Sequence, residues 1–299
     1  MGVNLSEWNR SFQGQKKGSF ATRNRAFTTW RALDQFVDQK GWRDVRPETI
    51  TPKQMRLFLE HRAEEIGARS VQNEASHLRR ALEGAGRDIG NVRDPKNTWS
   101  NDRMGVDQAS RFGGRAAMSE SVFERAREHL REDVRACADL QRCIGLRREE
   151  SIQAGRSLDQ WKNALDQSEK EGRGAFLDVR DGTKGGRERC VWVPLERVQE
   201  VREVIERVRE VCRAGKIIDA AGLKQAKTVY SNEMRRAGLV GENSGHGLRR
   251  AFAQEQYAIY REAGFDERDA LARLSQDLGH GDGRGRWVWN NYLAGGEGA

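Results

Sequence analysis

The stretch "GAFLDVRDGTKGGRERCVWVP", residues 174–194, decides the fold class of this 299-residue chain. Two β-rich runs flank a turn-forming "DGTKGG", and Pro194 ends the second run, so the segment reads as an antiparallel hairpin. It is the one convincing strand signal. Elsewhere apolar residues recur at three- and four-residue spacing, the period of a helix that buries one face. The expected fold is mainly α with a small antiparallel β-sheet: an all-helical amino-terminal domain followed by an α+β domain.

Working outward from the hairpin, "LERVQEVREVIERVREVC" places Val198, Val201, Ile205, Val208 and Cys212 on one helical face. Helical patterning upstream begins at Ser119, with Val122, Phe123 and Ala126. Nearer the amino terminus, residues 19–40 space Phe27, Trp30, Leu33 and Val37 as an amphipathic helix that stops at Gly41. Thr51 reads as an N-cap with Pro52 at the first helical position, followed by Met55, Phe58, Leu59 and Ile66. A third helix carries Val71, Ala75, Leu78 and Leu82. The stretch from Asn91 to Ser119 is rich in Asn, Asp, Ser and Gly and poor in apolar periodicity, so it reads as a linker. The expected organisation is an amino-terminal extension over 1–18, a helical domain over 19–95, a linker over 96–116 and a second domain over 117–299.

Composition narrows the function. With 36% hydrophobic residues, eight Trp and ten Phe, the chain can bury cores. It has neither a run of 18 apolar residues nor an apolar amino-terminal segment, so no membrane partner is expected and a cytoplasmic setting is. Cys137, Cys143, Cys190 and Cys212 form no CxxC pair and have no histidine cluster beside them, which fits reduced thiols. The net charge of +8 is unevenly spread: residues 1–116 carry 21 Lys+Arg against 14 Asp+Glu, whereas residues 117–299 carry 32 against 31. A basic first third is what a surface that tracks phosphates requires, although a solvated Arg-rich surface would look the same.

Five short pieces carry candidate chemistry: "GLRREE" with Arg147 and Glu150, "GTKGG" with Lys184, "HGLRRAF" with His246 and Arg249, "LGH" with His280, and "NNYL" with Tyr292. Each has a plainer reading. Arg147 with Glu150 could be a helix ion pair, Lys184 a solvated turn lysine, His280 a helix C-terminal cap and Tyr292 a core aromatic. Taken in order, the five resemble the tyrosine recombinase (phage integrase) family, across residues 117–293 and more weakly across the amino-terminal helices. The resemblance implies a core-binding DNA-binding domain joined to a tyrosine-recombinase catalytic domain. It also implies a site-specific DNA recombinase that cuts and rejoins double-stranded DNA through a 3′-phosphotyrosine, without metal, ATP or other cofactor.

By the same resemblance Tyr292 is the nucleophile. Arg147 and Arg249 hold the non-bridging phosphate oxygens, Lys184 is the acid for the leaving 5′-oxygen, His246 assists proton transfer from the tyrosine, and His280 donates to the phosphate. Glu150 buttresses Arg147. Partners implied are a homotetramer on paired sites and accessory DNA-bending proteins. Twelve residues separate His280 from Tyr292, longer than is usual for the family, and Tyr230, Tyr257 and Tyr260 lie outside the expected order. Two other classes stay open: a catalytically inactive DNA-binding protein on the same fold, and a metal hydrolase using His246, His280 and Asp282. The second lacks an HExxH segment, and no Walker-type GxxxxGK[ST] segment is present either.

Overall fold

The computed structural model describes residues 2–14, 20–106 and 116–294; the side chains of Phe20, Ala21 and Lys184 lie outside that description. The chain divides into two compact units, Met1–Ser110 and Arg111–Ala299. Its described residues are mostly helical with one small sheet, as the hairpin reading predicts.

The first unit contains α1 (Leu5–Gln13), α2 (Phe20–Gln39), α3 (Pro52–Glu65) and α4 (Ala68–Gly84). Thr51 caps α3 as expected: its side chain accepts from the Gln54 N–H while the Gln54 side chain accepts from the Thr51 N–H, satisfying two end donors reciprocally. The core is aromatic. Trp8 and Trp30 lie with ring centroids 5.2 Å apart, and Phe12 meets Trp30 edge-on at 5.8 Å. All three are buried, each worth about 1.5–3 kcal/mol in removed apolar surface.

Two boundaries differ from expectation. Residues 1–18 are not a bare extension, because α1 is capped by Asn4 and buries Trp8 and Phe12 against α2 and α4. Residues 96–106 are not a linker, because Trp99, Met104 and Val106 are buried in this core. The polar residues that disguised the segment do local work: the side chains of Asn91, Asp94 and Asn97 each accept from the backbone N–H two residues on. Residues 107–115 of the expected linker lie outside the described residues.

The second unit contains α5 (Glu120–Arg127), α6 (Glu132–Ile144), α7 (Arg148–Gln153), α8 (Leu158–Glu171), β1 (Ala175–Val179), β2 (Arg189–Val193), α9 (Leu195–Val211), α10 (Leu223–Arg236), α11 (Gly245–Glu262), α12 (Glu267–Asp277) and α13 (Gly285–Val288), then a π-helical turn, Trp289–Leu293. β1 and β2 pair antiparallel with Ala175 opposite Val193, Leu177 opposite Val191 and Val179 opposite Arg189. Those six positions form the buried face of the ribbon. Helix α6 is the centre of the core, buried over most of its length and packed on α9 and α11. Helix α9 buries Val198, Val201, Val204, Ile205 and Val208, the face read from its spacing, while Cys212 is only partly buried. The four cysteines are free thiols. Among the described residues no helix is long and apolar enough to cross a membrane.

Candidate active site

Helix α6 ends at Gly145, whose φ of 63° turns the chain sharply. The next helix starts three residues later, at Arg148, so Arg147 falls at the N-cap of α7 with Glu150 one turn inside. The Glu150 carboxylate reaches back to accept from the Arg147 backbone N–H at 2.7 Å and from its Nη1 at 2.5 Å. Arg147 Nη2 donates to the Leu278 carbonyl at 2.8 Å. Glu150 does buttress Arg147, as the sequence suggests.

His246 and Arg249 lie in the first turn of α11, on one face. Arg249 is 1% exposed and gathers carbonyls from two distant turns: Nη1 donates to Gly145 and Nη2 to Leu278 at 2.5 Å. Leu278 follows α12 and precedes Gly279, whose φ is 63°, and His280. A Cβ at Gly279 would sit 2.5 Å from Arg189 Cδ, so only glycine lets this turn close over the arginines.

Tyr292 is 2% exposed, and the π-helical turn presents its hydroxyl to this cluster. Arg249 Nε donates to that hydroxyl at 3.3 Å, and His280 Nε2 lies 3.3 Å from it. The His246 ring centroid is 5.7 Å from that of Tyr292. The structure therefore unites Arg147, His246, Arg249, His280 and Tyr292. Lys184 differs: its backbone lies in the turn between β1 and β2, and its side chain is outside the described residues. That turn rests on α7, so closely that a Cβ at Gly182 would fall 2.5 Å from the Glu149 carbonyl oxygen.

Two further residues belong to the cluster without having been anticipated. Arg189, on the buried face of β2, donates through Nη2 to Glu150 Oε2 at 2.8 Å and to the Gly145 carbonyl at 3.3 Å, and through Nη1 to the Asp277 carbonyl. Its signal in the sequence is an arginine two residues before Val191 and four before Val193, on the inward register of an otherwise apolar strand. Trp287 covers the histidine, with its ring centroid 4.3 Å from that of His280.

Three guanidinium groups thus surround one carboxylate. Burial alone would raise the Glu150 pKa, but Arg189, then Arg249 and Arg147, bring it down to about 2, so it is ionised. Burial lowers Arg189 to about 10, still charged at neutral pH. Burial, then Arg249, Arg147 and Arg189, lowers His280 to about 3, so its ring is neutral and able to accept a hydrogen bond from the phenol. The cluster keeps a positive surplus beside a buried phenol, which suits an incoming oxyanion. Among the described residues no three His, Cys, Asp or Glu side chains are grouped to hold a metal ion.

The sequence profile of the integrase family matches residues 105–255, half of the chain. The chain belongs to the integrase family, the tyrosine recombinases. The profile match spans Arg147, Lys184, His246 and Arg249 and stops before His280 and Tyr292, which hydrogen bonds in this structure link to each other and to Arg249. Among solved structures, a lambda integrase dimer bound to a COC′ core site has a TM-score of 0.59 and 15% identity, covering 100% of this chain and 80% of that one. XerH site-specific recombinase bound to a palindromic difH substrate gives 0.54 and 15%, covering 95% and 80%. The Tn1549 transposon integrase in complex with transposon right end DNA gives 0.54 and 12%, covering 98% and 95%. At such identities the likeness is one of fold. A search of curated proteins finds no match.

Proposed function

We propose that this integrase-family chain is an active site-specific DNA recombinase that cuts and rejoins double-stranded DNA through a 3′-phosphotyrosine at Tyr292. The observation that carries the reading is the Tyr292 hydroxyl, held between Arg249 Nε and His280 Nε2 at 3.3 Å each, inside a cluster of three arginines on one carboxylate.

In this reading Arg147 and Arg249 take the non-bridging oxygens of the scissile phosphate, each exchanging a backbone carbonyl for a phosphate oxygen. Guanidinium suits the task because it stays charged and presents parallel donors. Each such donor is worth roughly 3 kcal/mol to a transition state in which charge builds on those oxygens. The tyrosine oxygen attacks phosphorus, and the 5′-oxygen leaves with a proton from Lys184. The phenol proton departs toward the imidazole pair, and the His280 ring is within hydrogen-bond distance of that hydroxyl. Burial depresses His280 most and the three arginines add to it; the phosphate charge offsets the arginines' share, raising its basicity as substrate arrives. Because the phosphotyrosine conserves the energy of the phosphodiester, rejoining needs no ATP. Strand exchange between two duplexes calls for a homotetramer on paired sites, and the basic first unit supplies phosphate contacts on the DNA.

The test uses nicked duplexes drawn from the DNA flanking the encoding gene, in which release of a short strand prevents rejoining. The parent chain is expected to form a covalent protein–DNA adduct that Tyr292→Phe abolishes. Site binding without any adduct would instead identify an inactive DNA-binding protein.

A further inference from the structure

We propose that Arg189 is a positioning residue for the phosphate clamp: it occupies Glu150 Oε2, keeps that carboxylate from closing on Arg249, and ties the turn before Arg147 to the turn before His280. The inference rests on the functional reading above. Three observations carry it.

The first is competition for one oxygen. Glu150 Oε2 lies 2.8 Å from Arg189 Nη2 and 3.7 Å from Arg249 Nη1. Both side chains are buried, where attraction between opposite charges is strong. A carboxylate oxygen released by Arg189 would close the remaining gap and form a direct pair with Arg249. That movement would draw the Arg249 guanidinium toward Glu150 and away from the Tyr292 hydroxyl, which its Nε now meets at 3.3 Å.

The second is the pair of turns that Arg189 spans. One end of its guanidinium reaches the Gly145 carbonyl, two residues before Arg147, and the other reaches the Asp277 carbonyl, three residues before His280. Arg249 bridges the Gly145 and Leu278 carbonyls in the same way. Two arginines from β2 and α11 therefore fix the spacing between the elements that carry Arg147 and His280. The third observation is Gly279, which leaves room for the Arg189 stem beneath the turn.

Arg189 is 8% exposed, and both its terminal nitrogens donate to protein acceptors, so it acts through its neighbours and not on DNA. The test compares parent, Arg189→Lys and Arg189→Met for DNA affinity, melting temperature and single-turnover adduct formation on the nicked duplex. Arg189→Lys keeps a charge but has a single nitrogen in place of the fork, and is expected to bind DNA like the parent while cleaving about tenfold slower. Arg189→Met is expected to cleave about 100-fold slower or more while its DNA affinity changes by less than about threefold. Parental cleavage rates in the Lys variant, or rate losses that only track losses of DNA affinity or melting temperature, would overturn the inference. A parent chain that forms no adduct would overturn the functional reading and this inference with it.

Discussion

Each unit of the molecule holds an ion cluster, part-buried in the first and buried in the second, and the two clusters differ in stoichiometry. In the first unit Arg62 meets Glu74 fork to fork, Nε to Oε2 at 3.0 Å and Nη2 to Oε1 at 3.1 Å, with Glu65 on its remaining nitrogen. The Arg62 pKa is raised, chiefly by its hydrogen bond with Glu74. In the second unit one carboxylate, Glu150, serves Arg147, Arg189 and Arg249. The first arrangement is closed: guanidinium donors are matched by carboxylate oxygens and α3 is fastened to α4. The second fills its surplus donors with the carbonyls of Gly145, Asp277 and Leu278. Neutral carbonyls can be exchanged for a phosphate oxygen, which binds a guanidinium more strongly. A matched cluster holds a fold together; a surplus cluster is ready for a ligand.

That contrast can be broken most severely at the proposed nucleophile. Tyr292→Phe removes the phenol oxygen and keeps the ring, and adduct formation in a gel assay is expected to fall by about 10³-fold or more. Arg249→Lys keeps the charge but loses the fork, and the single-turnover rate is expected to drop about 100- to 1,000-fold with DNA affinity little changed. Lys184→Ala should slow cleavage by about 100-fold or more on ordinary DNA. A 5′-bridging phosphorothiolate should restore most of that rate, because a thiolate leaves without a proton. Failure of the sulfur substrate to help would remove Lys184 as the acid.

Smaller effects are expected at the closed pair. Glu74→Gln leaves the part-buried Arg62 guanidinium half-matched and should lower stability by about 1–3 kcal/mol. It should leave the adduct rate of the folded protein unchanged, since nothing there exchanges for phosphate. Calorimetry and the single-turnover assay separate these outcomes. The mildest effect is one of pH. Burial, then Arg25 and Arg80, lowers His77 in the first unit to about 4, beside Thr29 Oγ1 at 2.9 Å. Unfolded histidine binds its proton near pH 6.5, so this stability is fully present above that value and is lost as pH falls toward 4. Thermal melts between pH 7.5 and 5 should show about 1–2 kcal/mol of loss from His77, the lower figure allowing for solvent screening of a ring that is only partly buried, and this loss should be largely removed in His77→Phe.

Much of this organisation was legible in the sequence because it rests on periodicity and order. The hairpin at 174–194, the Thr51 cap and the apolar face of α9 all follow local rules, and five of the six expected site side chains meet in one cluster. The missed features share another cause. Helix α1 is nine residues long, and its buried face consists of Trp8 and Phe12 alone, too brief a pattern to register. Residues 91–106 fold through Asx turns, in which polar side chains replace regular backbone bonding and look like a linker. Arg189 and its 39-residue separation from Glu150 are invisible to local rules, since its role depends on which strand face turns inward. It is also the twelve-residue separation of His280 and Tyr292, with Trp287 and the start of a π-helical turn in between, that brings the phenol back to the histidine.

The central claim is that the surplus cluster activates one particular phenol. Its most direct measurement is mass spectrometry of the peptide carrying DNA after trapping on a nicked duplex from the gene's flanking sequence. The account predicts a single modified residue, Tyr292, linked to a 3′-phosphate. A phosphate on Tyr230, Tyr257 or Tyr260, or cleavage that leaves no DNA on the protein, would contradict it.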